Sequence, residues 1–354
     1  MRTIIAPESR TPRSSFSWRS STKLGLEIGD HEAHMVVCRE RASGWEVLRA
    51  GRLALPAPFE EAPSEATAAI AQWLRREGGA QPGNLVATLP TSLFEYESAP
   101  VSAAEVEGQQ SATTAHQLMT ELLGDELEQA SYDYWVSQSP MGPKLHLAWA
   151  TRAVLVQVAE GLSRCGWRIS AFDLPIVALA RLAQFSNAPE SQLIVELNSK
   201  EANFVWSSHG EPRYLRTRIS LGNQSPTAIV AARRRISVAT AETSLSRWGV
   251  DRHTMPPLAE LHEACLNDWL ERLSYEIHRT MQFIHGGMPP ATAPGVVLCG
   301  CSADIRGLTD WLSSHLKLGV SVATLPERGK WLSAEPYRGT YALALANSRH
   351  GVML

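Results

Sequence analysis

Two short segments place an acidic residue where it could do chemistry. In LGLEIGDHEAHMVV, residues 24–37, an apolar run reaches Glu27, turns at Gly29 and Asp30, and becomes apolar again. LIVELNSKEANFVW, residues 193–206, does the same around Glu196, Asn198 and Ser199. A shift of 169 positions sets Glu27 on Glu196, Glu32 on Glu201, Ala33 on Ala202 and Val36 on Val205. Apolar residues coincide at Leu26/Val195, Ile28/Leu197 and Met35/Phe204. Either segment alone reads as a β-hairpin with a carboxylate at its rim. The pair, each copy opening one half of the chain, predicts two related halves that face each other. Backbone N–H groups in such turns cradle phosphate, and a neighbouring carboxylate holds Mg²⁺ or its waters. Glu27 and Glu196 are therefore the candidate metal-holding residues of a nucleotide cleft between two lobes.

The rest of the chain must position those turns. With 354 residues, 44% hydrophobic and 19% charged, it is long enough for two domains or one two-lobed unit. A net charge of −3 gives no general nucleic-acid footprint. No apolar run reaches the roughly 18 residues a membrane span requires. The five cysteines are scattered and odd in number, and the first 22 residues lack an apolar signal core, which favours a reducing, cytoplasmic setting. Cys299 and Cys301 read as packing residues, because no second cluster has zinc spacing. P-loop, GxSxG and HExxH motifs are absent.

Residues 1–22 read as a disordered basic tail. Strands are expected at 24–28, 34–39, 45–49 and 85–90, with a helix capped by Ser64 between the last two. Polar, acid-rich sequence then leads to a strand pair at 132–136 and 145–150 and a helix through Val154, Leu155, Val158 and Leu162. We read 96–170 as a small α/β subdomain inserted into a first lobe that starts at 23–95 and returns at 171–190. The second lobe is expected over 191–347, with a tail at 348–354. Its expected parts include a helix through residues 226–249, a long helix at 262–285, a strand–turn–helix at 295–308 and a short helix at 339–347.

Strand–acid–turn in each half, followed by a late strand–glycine turn–helix, is the motif order of the actin-like ATPases. Within that superfold the chain resembles the PilM family of type IV pilus assembly over about residues 23 to 347. Four stretches carry the resemblance: LGLEIGDHEAHMVV; HLAWATRAVLVQVAEGLSRCGWRISAFDLPIVALARL; LIVELNSKEANFVWSSHGEPRYLRTRISLG; and LSYEIHRTMQFIHGG with GVVLCGCSADIRGLTDWLSSHLKLGV. The resemblance implies an α/β, actin-like fold of duplicated ribonuclease-H-like lobes with one inserted subdomain. It implies ATP and Mg²⁺ as cofactors, with Glu27, Gly29, Asp30, Glu196, Asn198, Ser199, Gly300 and Ser302 as binding residues. The partner it implies is a PilN-like membrane protein, whose short cytoplasmic N-terminus inserts between the first lobe and the subdomain. The chain itself would then be cytoplasmic and meet the inner membrane only through that partner, without binding nucleic acid.

The sequence departs from the family pattern at the turns. Glu27 and Glu196 stand for Asp, Asp30 for a hydroxyl residue, Asn198 for Gly, and Cys301 for the middle of three glycines. A carboxylate such as Asp30, about 4 Å from a phosphate charge, costs on the order of 4 kcal/mol at an effective dielectric near 20. The function this implies is a scaffold of a type IV pilus or type II secretion-like machine with a degenerate nucleotide cleft. The alternatives are an active actin-like ATPase or sugar-kinase-like phosphotransferase, and an FtsA-like division protein.

Overall fold

The computed structural model describes residues 22–41, 44–78, 84–106, 110–139, 142–185, 191–198, 201–286, 295–325 and 329–350. The proposed tails at 1–21 and 351–354, and the candidate site residue Ser199, lie outside them. The described chain divides into two compact units: residues 22–178, 329–336 and 343–350 form the first, and 179–325 with 337–342 the second.

The first unit opens with an antiparallel meander of β1 (Thr22–Ile28), β2 (Glu32–Arg41) and β3 (Gly44–Ala54). Helix α1 (Pro63–Glu77) follows. It starts on a proline, whose missing N–H costs nothing at the first helical position. Ser64, the expected cap, is already inside the helix, and Ala62 precedes it without a side-chain cap bond. Strand β4 (Asn84–Thr88) then adds parallel to β1.

The inserted subdomain is narrower than the composition suggested. Its sheet, in the order β5-β7-β6, is built from β5 (Phe94–Pro100), β6 (Ala130–Ser139) and β7 (Gly142–Thr151). Helix α2 (Gln110–Leu123) covers one face through Ala115 and Met119, which pack on Leu145 and Leu147. Helix α3 (Arg152–Ser163), expected in the subdomain, instead packs on α1, where Gln157 donates to Ser64 Oγ at 2.7 Å. Strand β8 (Arg168–Asp173) likewise returns to the main sheet, parallel to β4. Helix α4 (Pro175–Phe185) then leads out of the first unit.

The second unit repeats the plan. A meander of β9 (Ser191–Leu197), β10 (Glu201–Ser208) and β11 (Glu211–Ser220) is followed by helices α5 (Pro226–Arg234), α6 (Val238–Arg247) and α7 (Pro256–Gly286). Strand β12 (Gly295–Cys299) adds parallel to β9, and after α8 (Leu308–Leu316) the short β13 (Val320–Val322) adds parallel to β12. The sheet order β11-β10-β9-β12-β13 thus matches β3-β2-β1-β4-β8 of the first unit. Leu266, Leu270, Leu273, Ile277, Met281 and Ile284 form the buried stripe of α7, as their spacing predicts. Burying each such side chain contributes about 1.5–3 kcal/mol.

Two late segments lie outside the lobe expected to contain them. Strand β14 (Gly329–Trp331) pairs parallel with β3 on the edge of the first sheet, and residues 343–350, mostly helix α9 (Ala342–Ser348), join the first unit. Gly25 on β1 lets α9 approach so closely that a Cβ there would collide with the Ala344 carbonyl and the Ser348 amide.

Candidate functional site

The two acidic hairpins are copies of each other down to their register. Glu27 lies opposite His34 across β1 and β2, and Glu196 lies opposite Asn203 across β9 and β10. The shift of 169 that aligns the acids also aligns His34 with Asn203. Each turn closes with the same backbone bond: Gly29 N–H donates to the Glu32 carbonyl at 2.9 Å, and Asn198 N–H to the Glu201 carbonyl at 3.0 Å. The loop after β3 then seals the first turn, with Phe59 N–H donating to Asp30 O and Leu55 N–H to His31 O, both at 2.8 Å. The Asp30 residue is solvent-exposed.

Each carboxylate already has a neighbour in its own hairpin. Buried Glu27 has Oε2 3.4 Å from His34 Nδ1. The chain of charges continues from His34 Nε2 to Glu32 at 3.6 Å and from Glu32 to Arg52 at 3.7 Å. Burial alone would lower the His34 pKa, but Glu27 and then Glu32 outweigh it and hold the imidazole above its ordinary value. In the second hairpin, Asn203 Nδ2 donates to Glu196 Oε2 at 2.6 Å, with both residues buried. One acid is therefore matched by an ionisable partner and the other by a neutral amide. His34 and Asn203 were the missed residues. Their signal was a single polar residue at the same place in the apolar runs AHMVVC and ANFVW of the two strands.

The first acid does not stand alone on its sheet. The parallel registers align Glu27 with Thr88 and Thr88 with Asp173, so three neighbouring strands carry polar side chains at one level. All three are buried, and Asn347 of α9 reaches among them, donating to Leu26 O at 2.8 Å and Thr88 Oγ1 at 3.2 Å.

In the second unit, Gly300 and Ser302 fold directly onto the Glu196 hairpin. Ser302 N–H donates to the Leu197 carbonyl at 3.2 Å, and Cys301 Sγ lies 3.5 Å from the same oxygen. Gly300 has φ +88°, and a Cβ there would stand 2.6 Å from Leu197 O, so only glycine fits. Cys299 is buried and Cys301 exposed. Asp304 accepts from Gly339 N–H at 2.9 Å and Thr340 N–H at 3.3 Å.

The structure thus brings Glu196, Asn198, Gly300 and Ser302 together in one unit, and Glu27, Gly29 and Asp30 together in the other. Among the described residues, no three His, Cys, Asp or Glu side chains converge as a metal cage. The Gly29 and Asn198 amides, which a phosphate would call on, close their own turns instead, and the Ser302 amide is taken by the Leu197 carbonyl.

No sequence-family profile matches the chain, and no curated protein matches it by sequence. Solved structures do match. The chain superposes on a structure of the PilM-PilN type IV pilus biogenesis complex with a TM-score of 0.72 at 17% identity, over 95% of this chain and 100% of that one. The fold is actin-like. A further match is the ethanolamine utilization protein EutJ from Carboxydothermus hydrogenoformans, with a TM-score of 0.53 at 13% identity over 98% of this chain and 93% of that one. MreB5 of Spiroplasma citri bound to ADP gives 0.51 at 12% identity over 93% and 95%. The PilM-like form of the fold covers both units. No helix among the described residues is long and apolar enough to cross a membrane.

Proposed function

We propose that the chain is a PilM-like scaffold of a type IV pilus or type II secretion-like machine. On this reading it works on the cytoplasmic face of the inner membrane and meets that membrane through a PilN-like partner, by binding the partner's short cytoplasmic N-terminus. The observation that carries the proposal is the likeness to PilM over 95% of this chain and all of that one. The nucleotide cleft is degenerate on this reading. Two of its backbone donors close their own turns, a third bonds the Leu197 carbonyl, and the carboxylates expected to hold Mg²⁺ face His34 and Asn203. The MreB5 neighbour with its ADP keeps nucleotide binding in the test as the competing reading.

The test is a calorimetric titration with two ligands. One is a peptide copying the cytoplasmic N-terminus of a PilN-like protein from the same organism, and the other is Mg-ATP. The expected result is saturable binding of the peptide and no heat from Mg-ATP. Absence of peptide binding sinks the scaffold reading. Micromolar Mg-ATP binding that Glu27→Ala and Glu196→Ala each abolish replaces the degenerate cleft with a working one.

A further inference from the structure

Helix α7 presents two unlike faces. The buried stripe packs on the second sheet, while Arg272, Tyr275, Arg279 and Phe283 recur on the outer side. At about 100° per residue these four fall within an arc of about 80°. Tyr275 is 61% exposed and Phe283 63%. The two arginines are exposed as well. Large aromatic rings held in water beside arginines are the usual composition of an interface centre.

The stripe is held rigidly. Arg216 of β11 donates to Glu276 at 2.7 Å and to Thr280 at 2.6 Å, and its guanidinium lies over the Phe204 ring at 5.5 Å. This clamp fixes the helix rotation that turns Tyr275, Arg279 and Phe283 outward. Phe283 also stacks on Tyr214 of β11, with ring centroids 4.6 Å apart, so the aromatic surface continues onto the edge strand of the sheet. Glu271 and His278 are exposed along one flank of it, and His278 bonds Gln282 at 2.9 Å.

The same chain carries a surface of opposite charge. Residues 94–151 contain nine acids and a single Lys, with no Arg. Where α2 ends, Glu121, Asp125, Glu126 and Glu128 are all exposed around Leu122, which is 47% exposed. An exposed apolar side chain with exposed carboxylates next to it in the chain complements exposed aromatic rings with arginines on the same helix face.

We propose that the α7 stripe docks the acidic end of α2 on a second copy of this chain. The two surfaces differ, so the contact is head-to-tail and each copy keeps one surface of each kind for the next neighbour. Leu122 seats against Tyr275 and Phe283, and Glu121 and Glu126 pair with Arg272 and Arg279. The contact depends neither on nucleotide nor on a membrane partner.

Sedimentation velocity of the full chain tests this at rising concentration, in low and high salt. Wild-type protein should grow from monomer to open-ended or ring assemblies, and salt should reverse this. Two variants separate the surfaces: Arg272→Glu with Arg279→Glu, and Glu121→Lys with Glu126→Lys. Each should weaken self-association by at least about tenfold, the usual effect of truncating a central contact. Mixed in equal amounts they should assemble again beyond the dimer, because the reversed charges on one variant complement those on the other while their unchanged surfaces still match. Circular dichroism confirms that both variants fold. Wild-type protein that stays monomeric throughout overturns the proposal, as do variants that assemble like wild type. A wild-type monomer that binds anionic vesicles, and loses them on Arg272→Glu with Arg279→Glu, assigns the stripe to lipid and overturns it too.

Discussion

Two buried histidines make opposite demands on pH. His262 on α7 has no exposure. Its Nδ1–H donates to Gly249 O at 2.7 Å, which leaves Nε2 to accept from Ser244 Oγ at 2.9 Å, with Arg234 Nη1 3.1 Å away. Burial lowers its pKa below the ordinary 6.5, the Gly249 carbonyl acts against this, and Arg234 adds to it. The unfolded chain therefore takes up the proton first, and stability falls as pH drops below 6.5. Urea midpoints should decline there for wild type and decline less for His262→Gln. His34 runs the other way. Its folded pKa is raised, so its contribution is full below 6.5 and disappears as pH rises through the folded value. Wild type and His34→Gln should accordingly differ most in mild acid and converge in alkali. The two acids were legible in the sequence because each ends an apolar strand before a turn. Their partners were not, because cross-strand pairing depends on register, and register is set only when the hairpin closes.

At the scale of elements, the strands and the long helix followed from periodicity, and the errors came from breaks that periodicity does not register. Residues 226–249 read as one helix, yet the structure contains α5 and α6. Arg235 between them adopts φ +55°, and Ser237 caps the second helix by accepting from Thr240 N–H. A left-handed non-glycine residue costs roughly 1–2 kcal/mol. Arg235→Gly should therefore raise stability by up to about 1 kcal/mol, part of the gain being lost to the greater freedom of glycine in the unfolded chain. Guanidinium denaturation would measure it. A loss of stability would mean that the Arg235 side chain contributes more than its backbone costs. The subdomain boundary failed for a related reason. Helix α3 and strand β8 continue without a compositional shift from β7, and only their pairing with α1 and β4 shows where they belong.

At the scale of the whole molecule, the internal repeat announced two halves but not how the chain distributes itself between them. The first unit is completed from the far end of the sequence, by β14 and by residues 343–350. Those last residues contribute heavily to its interior. Leu343, Ala344, Leu345 and Ala346 are buried, Asn347 bonds Leu26 and Thr88, Ser348 Oγ lies 3.1 Å from Cys38 Sγ, and the Arg349 guanidinium stands 5.4 Å over the Trp45 ring. A chain ending at Ala342 keeps every described residue of the second unit and strips this cover from Gly25, Leu26 and Cys38. If the sequence boundary at 347 had marked the end of a second lobe, that truncation should damage the second unit alone. The observed packing requires the reverse: the first unit loses its cooperative transition and binds a hydrophobic dye, while the second keeps its own. Single-tryptophan variants that retain only Trp45 in the first unit or only Trp269 in the second separate the two outcomes. Gly25→Ala should reproduce the effect in milder form, because overpacking a close approach typically costs about 1–3 kcal/mol.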